Sequence, residues 1–547
     1  MLNKKKYLLV PALLITLITG GAFVTDNYFE IAKNLDIFSS MYKEVNTYYV
    51  DDIEPGKFMR TGIDAMLNSL DPYTNFYSEA ESEDARFQIT GQYGGIGATV
   101  GQRGDYIMIT DPYEGYPAQK EDLRPGDLIL AIDGNSTKGK TTADVSKLLK
   151  GQPGSEVKLL LKRGEDTYTK TLKREEIKVK NVPYYGMINE TVGYIKHTGF
   201  TNDAGKEVRE AIEDLKKNNK LQSLVLDLRG NPGGLLHEAV NIVNCFVEKG
   251  VTVVTTKGKA KEWDKEYKTL NAPTDLDIPL VVLTNRNSAS ASEIVSGTLQ
   301  DLDRAVVVGQ RSYGKGLVQS TRALSYNTQV KITMAKYYTP SGRCIQAIDY
   351  SQRNEDGSVG KIPDSLTHVF KTKGGRTVRD GGGITPDVSV EPAKLSNIAR
   401  SLVEKNLIFD FASKYRNEHP SIGSARTFSL SNTDWEDFQK FISEKDYGYI
   451  TETEKALEEL KKKATDEKYL KAINDEIENM KKKLSHDKKS DIEKSREEIT
   501  GLIEQEITRR YYYQKAVIES GFDHDADIKV ALEVLGDMKK YRSLLSK

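Results

Sequence analysis

The 547-residue sequence predicts a multidomain protein of mixed α/β and α+β class, with a layered α/β core, a smaller β-rich module and helical regions at both ends. Strand-like and helix-like stretches alternate from Val192 to Val308, which favours a layered and mostly parallel sheet. A glycine-rich, β-prone stretch from Gly91 to about Arg174 precedes them. On either side of these stretches, apolar residues recur at steps of three and four, as they do on helices.

The composition is that of an ordinary soluble protein. With 29% charged residues and a formal net charge of −1, no overall field favours nucleic acid or a membrane surface. The two cysteines, Cys245 and Cys344, make no disulfide framework, and Cys245 lies in an apolar helical pattern. The six histidines are scattered without ligand spacing, so we expect no metal and no other cofactor.

The N-terminus has the layout of an export signal. Three lysines, Lys4 to Lys6, precede the uncharged 18-residue stretch Tyr7–Val24. That run is long for a cleaved signal and short for a membrane span of about 20 residues. No A-x-A-like cleavage site follows, so we favour an uncleaved anchor over a cleaved signal within residues 1–24. In both cases the rest of the chain crosses a membrane.

The residue patterns predict three further regions before the C-terminal one. Residues 25–88 form a helical region in which Pro55 begins a second helix, and one apolar stripe is formed by Ile31, Leu35, Phe38, Tyr42 and Val45. Residues 89–172 form the β-rich module, with two helices between its strands. Residues 173–394 form the core, with loops from about Gln352 to Val388.

Residues 395–547 are helical and charged. An apolar seam of two heptads indicates either a helical hairpin on its own domain or a partner or dimer surface; its members are Leu470, Ile473, Ile477, Met480 and Leu484. The hairpin is the favoured interpretation.

One segment of the core, "VVVGQRSYGKGLVQ", matches a phosphate-binding P-loop except that Gly316 replaces Ser or Thr. In a P-loop the lysine opens a helix and the hydroxyl binds Mg²⁺. Here β-prone stretches follow Lys315, so a nucleotide site is disfavoured. A plain turn lysine and a catalytic lysine remain.

A second segment places Ser290 between alanines where a strand turns sharply into a helix, in "NSASASEIVSG". Small neighbours permit an exposed serine hydroxyl, as in G-x-S-x-G elbows, beside helix N–H groups that can stabilise an oxyanion. The same letters also form a capping box, Ser290-x-x-Glu293, which needs no catalysis.

A serine nucleophile needs a base. His237 is one candidate, although a histidine in the first turn of an amphipathic helix is more often a surface residue. Lys315 is the other, and it must be buried to lower its pKa from about 10.4. A third segment, "DLRGNPGGLL", turns from a strand into a helix and can present backbone N–H groups to an anion. It can equally be a plain turn.

Together these segments resemble the C-terminal processing peptidases, also called tail-specific proteases, through "DLRGNPGG", "NSASASEIVSGTLQD", "VVGQRSYGKGLVQ" and "YYTPSGRCIQ". "GGIGA" with "LRPGDLILAIDG" resembles the PDZ domain of that family. The resemblance extends from about Leu35 to Val390 and implies a crotonase-like layered α/β protease core with an inserted or preceding PDZ domain.

The resemblance also implies site residues. Ser290 matches the nucleophile, Lys315 the general base and Gln319 the amide that orients the lysine. On a straight strand Gln319 would lie about 13 Å from Lys315, so the segment must curl. The oxyanion hole matches the N–H of Ala291 and that of Gly233 or Gly234, and the sequence does not choose between these glycines. Glu293 and Asp301 match acidic positions that we interpret as structural.

The implied function is that of a serine endopeptidase with a Ser-Lys dyad, acting in the bacterial cell envelope, in the periplasm, either anchored or released. Its partners are protein or peptide substrates with free C-termini, bound through backbone N–H groups of Tyr93, Gly94, Gly95, Ile96 and Gly97. A homo-oligomer or an adaptor protein is a further candidate partner. The alternative is a non-catalytic peptide- or ligand-binding scaffold of the same fold.

Overall fold

A computed structural model describes residues 28–351, 353–354, 358–484 and 488–546. Contacts divide the chain into two units, with the division between Phe76 and Tyr77. The proposed signal or anchor, residues 1–24, lies outside the described residues. Among the helices of the described ranges, none combines the length and the apolar character that a membrane span requires.

The first unit contains two helices, α1 (28–48) and α2 (Pro55–Asn68). As predicted, Pro55 begins the second helix, where the missing N–H of proline costs no hydrogen bond. Tyr42 and Phe58 stack with ring centroids 5.8 Å apart, and the Tyr42 hydroxyl donates to the Pro55 carbonyl at 2.7 Å. The later half of the predicted stripe is therefore partly buried, whereas Leu35 is 64% exposed.

Strand β1 (Asn75–Tyr77) spans the division, and the second unit continues with α3 (Ser82–Thr90). The β-rich module follows. Its elements are β2 (Gln92–Gly95), β3 (Ala98–Arg103), β4 (Tyr106–Pro112), α4 (Pro117–Lys120), β5 (Leu128–Ile132), β6 (Asn135–Ser136), α5 (Thr142–Leu149), β7 (Glu156–Arg163), β8 (Asp166–Lys173) and β9 (Glu175–Lys178).

The module is an antiparallel sheet in the order β3-β4-β5-β7-β8, with β6 on β5. Strands β2 and β9 form a separate antiparallel ribbon through which the chain enters and leaves. Strand β3 is an edge strand, and α5 packs against it. Fully buried apolar side chains from the strands and from α5, such as Ile109, Ile129 and Val145, fill the interior.

The core follows as alternating strands and helices. They are β10 (Tyr184–Met187), β11 (Val192–Lys196), α6 (Ala204–Asn218), β12 (Ser223–Asp227), α7 (Leu236–Asn244), β13 (Thr252–Gly258), β14 (Lys265–Lys268), β15 (Leu280–Thr284), α8 (Ala291–Asp301), β16 (Val306–Gly309), β17 (Leu317–Ala323), β18 (Gln329–Tyr338), β19 (Val369–Lys371), β20 (Thr377–Arg379) and β21 (Val388–Ser389).

The main sheet has the order β10-β11-β12-β15-β16-β21. All its pairs are parallel except β10 with β11, which confirms the predicted layered and mostly parallel sheet. Helices α6, α7 and α8 cover one face. Beyond α8 lies a second, antiparallel sheet that contains β17, β18, β13 and β14, and the Thr298 hydroxyl of α8 donates to the Val253 carbonyl of β13 at 2.8 Å.

The C-terminal region is helical, as predicted. Its helices are α9 (Asn397–Glu404), α10 (Leu407–Glu418), α11 (Asn432–Ile442), α12 (Glu452–Asp466), α13 (Leu470–Leu484), α14 (Lys488–Lys494), α15 (Arg496–Gly521), α16 (Ala526–Gly536) and α17 (Met538–Leu545). Side chains of α9, α10, α11, α14 and α15 share one apolar core. The predicted seam lies on α13, which pairs with α12 through Lys461–Glu478 at 2.7 Å.

The last two helices cover the other face of the main sheet. Ile528 and Val534 of α16 and Tyr541 of α17 join one buried cluster with Val225 and Val281 of the sheet. At the start of β15 the Leu280 N–H donates to the Tyr541 hydroxyl at 3.0 Å. The sequence pattern predicted a helical region but not that it completes the core.

Candidate active site

Three loops meet at one edge of the main sheet. Because β12, β15 and β16 are parallel neighbours, the segments that follow them emerge at their common carboxyl edge. The Leu228 N–H donates to the Leu283 carbonyl at 3.0 Å, and the Gln310 N–H donates to the Thr284 carbonyl at 2.9 Å. The three motifs singled out in the sequence are thereby brought together.

Ser290 occupies the sharp turn that the sequence predicted. Its φ of 55° and ψ of −113° lie outside the regions that non-glycine residues favour, so the turn stores strain. It immediately precedes α8, and its neighbours Ala289 and Ala291 are buried. The Asn231 carbonyl of the glycine loop accepts from the Ala289 N–H and the Ser292 hydroxyl, both at 3.0 Å, and so fixes both sides of the turn.

Glu293 links this turn to the lysine segment. Its buried carboxylate accepts the N–H groups of Ser290 at 2.8 Å, Gly314 at 2.7 Å and Lys315 at 2.9 Å, and the Ser312 hydroxyl at 2.6 Å. Burial raises its pKa from 4.5 to about 7, against the lowering effect of these hydrogen bonds. The capping interaction is therefore only part of what this carboxylate does.

Lys315 is half-buried and enters no helix, because the next element is strand β17. The P-loop alternative is therefore wrong. Its flanking glycines allow close packing: a Cβ on Gly314 would lie 2.4 Å from the Ala347 Cβ, and the Gly316 N–H donates to Gln346 Oε1 at 2.7 Å. Lys315 also takes part in a further interaction within the chain.

Tyr337 of β18 provides a second link between the serine and lysine segments. Its hydroxyl lies 2.8 Å from the Lys315 carbonyl and 3.2 Å from the Ser290 carbonyl. The ring is 1% exposed, and burial raises the pKa of its hydroxyl well above the usual range. Tyr337 was not singled out in the sequence, since one tyrosine in a strand carries no local signal.

Gln319 lies in β17 where the strand is irregular. The pairing register with β18 shifts between Val318 and Gln319, so the segment is not straight. The Gln319 amide donates to the Thr333 hydroxyl at 3.2 Å. This irregularity lies between Lys315 and Gln319 in the chain.

The two candidate oxyanion glycines differ in their surroundings. A Cβ on Gly233 would lie 2.8 Å from the Ala291 N and 2.9 Å from the Ser290 Cβ, so the glycine loop lies directly against the serine turn. The Gly233 N–H donates to Asn231 Oδ1 at 2.9 Å. For the Gly234 N–H, no acceptor is found in the described part of the chain.

The remaining candidates make other contacts. His237 is 61% exposed in its side chain, and its Nε2 lies 3.6 Å from Glu238 Oε1, as expected for a surface residue. Asp301 forms a buried ion pair with Arg343 at 2.7 Å. Cys245 is 1% exposed in the core. The described residues contain no group of side chains that could hold a metal ion.

The glycine segment of the module lies just before the edge strand β3. Tyr93, Gly94 and Gly95 belong to β2 and pair with β9, which leaves Ile96 and Gly97 as the connection. The Ile96 carbonyl accepts the Ala118 N–H and the Gly97 carbonyl accepts the Tyr113 N–H, both at 2.8 Å. Gly97 has a φ of 72°, and a Cβ there would lie 2.4 Å from the Tyr116 Cβ. No other residue fits this position.

Three family models match the chain. The model of peptidase family S41 matches residues 191–352, a PDZ domain model matches residues 108–163, and a model described as the C-terminal helical domain of probable PDZ-proteases matches residues 398–535. Together they define a mixed α/β protease core with a PDZ domain and a helical C-terminal region. The resemblance in the sequence ended at about Val390, and the third match extends the family similarity to the C-terminal helices.

Two curated relatives support the same family assignment. A probable CtpA-like serine protease of Staphylococcus aureus strain COL is 38% identical over 316 residues, which are 57% of this chain and 63% of the relative. A carboxy-terminal-processing protease of Bartonella bacilliformis is 34% identical over 337 residues, 61% of this chain and 77% of the relative. The chain thus spans less than two thirds of the Staphylococcus protein. It belongs to the carboxy-terminal-processing proteases of peptidase family S41.

Among solved structures, a photosystem II D1 C-terminal processing protease aligns with 27% identity and a TM-score of 0.35. The alignment covers 66% of this chain and 93% of that one.

Proposed function

We propose that this protein is a serine endopeptidase in which Ser290 is the nucleophile and Lys315 the general base. The observation that carries the proposal is the double link between their backbones, through the Glu293 carboxylate and the Tyr337 hydroxyl. These links hold the two segments in a fixed relation, which a nucleophile and its base require. Gln319, on the irregular part of β17, serves to orient the lysine.

The reaction is acyl transfer. Neutral Lys315 accepts the proton of the Ser290 hydroxyl as its oxygen attacks a peptide carbonyl. The N–H groups of Ala291 and Gly234 stabilise the oxyanion. Gly234 is favoured over Gly233, because the Gly233 N–H already donates to Asn231. The lysine then returns its proton to the leaving amine, and water releases the acyl group from the serine by the reverse steps.

The PDZ domain selects substrates by their C-terminal tail. The edge strand β3 can accept a peptide as an added strand, while N–H groups within Tyr93–Gly97 receive the terminal carboxylate. The order of these elements in the chain supports the assignment, because the glycine segment leads directly into β3. Proteins exported to the cell envelope are the proposed substrates, and no cofactor is required.

A digestion experiment tests the proposal. Wild type, Ser290→Ala and Lys315→Ala are incubated with a peptide that ends in a free apolar tail and with the same peptide amidated at its C-terminus. We expect the wild type to cleave the free-tailed peptide, and both variants to lose at least about 1,000-fold in kcat.

His237→Ala is the matched control and should retain wild-type activity. Cleavage that survives Ser290→Ala refutes the proposal. Tail-dependent binding by a wild type that cleaves neither peptide would instead support the non-catalytic scaffold.

A further inference from the structure

A buried charge cluster lies at the start of the glycine loop. Asp227, the last residue of β12, is fully buried, and its carboxylate accepts the Tyr194 hydroxyl and Arg229 Nη2, each at 2.6 Å. Lys196 Nζ lies 3.1 Å from the Asp227 carboxylate and donates to the Arg229 carbonyl at 3.0 Å. The first residues of the loop are therefore held by charge-assisted hydrogen bonds, which are stronger and more directional than neutral ones.

The same guanidinium also reaches the C-terminal helical region. Arg229 Nη1 donates to Asp525 Oδ1 at 2.9 Å and to Asp527 Oδ2 at 2.7 Å. The side chains of Arg229 and Asp527 are only 15% and 12% exposed, so water screens the contact weakly. Asp525 is the N-cap of α16. The planar guanidinium thus joins the end of β12 to the beginning of α16 with a defined geometry.

The loop continues from Arg229 into the proposed oxyanion hole. Gly230 donates its N–H to Asn285 Oδ1 at 3.0 Å, and the Asn231 side-chain amide donates to the His197 carbonyl at 3.0 Å. Asn231 also holds the serine turn, as described above. Only five positions separate Arg229 from Gly234, so a shift of the guanidinium displaces the donors directly.

We propose that Asp525 and Asp527 are positioning residues for proteolysis, which act through Arg229 to fix the loop that carries Gly234. This inference rests on the proposed function of Ser290. The C-terminal helical region then contributes to catalysis by positioning the loop that carries Gly234. An oxyanion donor is effective only when it is held in place before the reaction, and a displacement of about 1 Å can cost about 100-fold in rate.

If Asp525 and Asp527 had a purely structural role, they would only hold α16 and α17 against the sheet. Tyr541 is a suitable control for that role, because its hydroxyl holds α17 against the same sheet at Leu280, where β15 begins. Arg229 follows the end of the parallel strand β12, so the two contacts lie at opposite edges. Loss of the Tyr541 hydroxyl therefore weakens the packing of the helices on the sheet. It leaves the contacts of Arg229 with Asp525 and Asp527 in place.

The test uses the full chain with Asp525→Asn and Asp527→Asn combined, and Tyr541→Phe as the matched control. Asparagine keeps the volume and caps a helix as well as aspartate does, so α16 should persist. With the free-tailed peptide we expect kcat of the double variant to fall about 10- to 100-fold while KM stays within about twofold. Tyr541→Phe should keep kcat within about twofold of wild type.

Amide hydrogen exchange supplies a readout that does not need activity. Peptides spanning residues 229–236 should exchange about tenfold faster in the double variant and at the wild-type rate in Tyr541→Phe. An unchanged kcat in the double variant, or an equal loss of kcat in Tyr541→Phe, overturns the inference. Unchanged exchange overturns it as well, even if the wild type cleaves nothing. Cleavage that survives Ser290→Ala refutes the proposed function separately.

Discussion

The backbone N–H groups of Ser290 and Lys315 donate to the same oxygen atom, Oε2 of Glu293, at 2.8 and 2.9 Å. The two residues are 25 positions apart in the chain, and one buried carboxylate sets the distance between their backbones. In its ionised form both oxygens of that group act only as acceptors, towards four donors in all. An uncharged amide cannot replace it, because one of its two ends carries hydrogens.

Glu293→Gln should therefore separate the proposed nucleophile Ser290 from the proposed base Lys315 while preserving side-chain volume. The amide nitrogen would face donors that have lost their acceptor, and each unsatisfied buried donor costs about 1–3 kcal/mol. We expect kcat for the free-tailed peptide to fall at least about 100-fold. Steady-state kinetics check this, with circular dichroism to establish folding. A folded variant with wild-type kcat would contradict the role given to Glu293.

The raised pKa of Glu293 makes stability depend on pH. An acid with a folded-state pKa of about 7 against 4.5 when unfolded takes up a proton on folding, so it stabilises the fold below pH 4.5. This contribution is lost as the pH rises to about 7, and it amounts to about 3 kcal/mol at about 1.4 kcal/mol per pKa unit.

Urea unfolding of wild type and Glu293→Gln at several pH values measures this contribution. The difference in unfolding free energy between the two proteins should shift against the wild type between pH 4.5 and 7. A difference that stays constant over this interval would show that the carboxylate is ionised throughout.

The strained backbone of Ser290 predicts an unusual order of stability. With φ at 55°, glycine fits the turn without steric cost, whereas alanine keeps the strain. Both substitutions remove the hydroxyl, so both variants should be inactive. Ser290→Gly should nevertheless be more stable than Ser290→Ala by about 1 kcal/mol, which chemical denaturation can measure. Equal stability, or alanine the more stable, would argue against a strained turn.

The ribbon of β2 and β9 permits a clean removal of the PDZ domain. Gly95 and Glu175 are paired residues at the end of this ribbon, so an Asn-Gly turn can replace residues 96–174 as a two-residue hairpin loop. We expect kcat/KM for the free-tailed peptide to fall at least about tenfold, and that for the amidated peptide to change less than about threefold. Equal changes for both peptides would contradict selection through the tail.

The strand-helix alternation and the three glycine- and serine-rich turns were readable from the sequence because each has a local signal. The parallel arrangement then brings those turns to one edge, as parallel topology requires. Tyr337 and the pair Asp525 and Asp527 had no such signal, since their roles arise from contacts between distant segments. The proposed preference for Gly234 over Gly233 also rests on a hydrogen bond of the Gly233 N–H that only the folded loop reveals.

One face of the main sheet is covered by the last two helices of the chain, α16 and α17, and this order matters during biosynthesis. Strand β16, the last to be synthesised of the four central strands β11, β12, β15 and β16, ends at Gly309. Helices α16 and α17, which carry Tyr541, are synthesised much later. At roughly 5–20 residues per second the half-built sheet keeps one apolar side bare for a time on the order of tens of seconds. A nascent chain in that interval lacks the contacts of Asp525 and Asp527 with Arg229. Its exposed apolar face also makes it the state most in need of a chaperone.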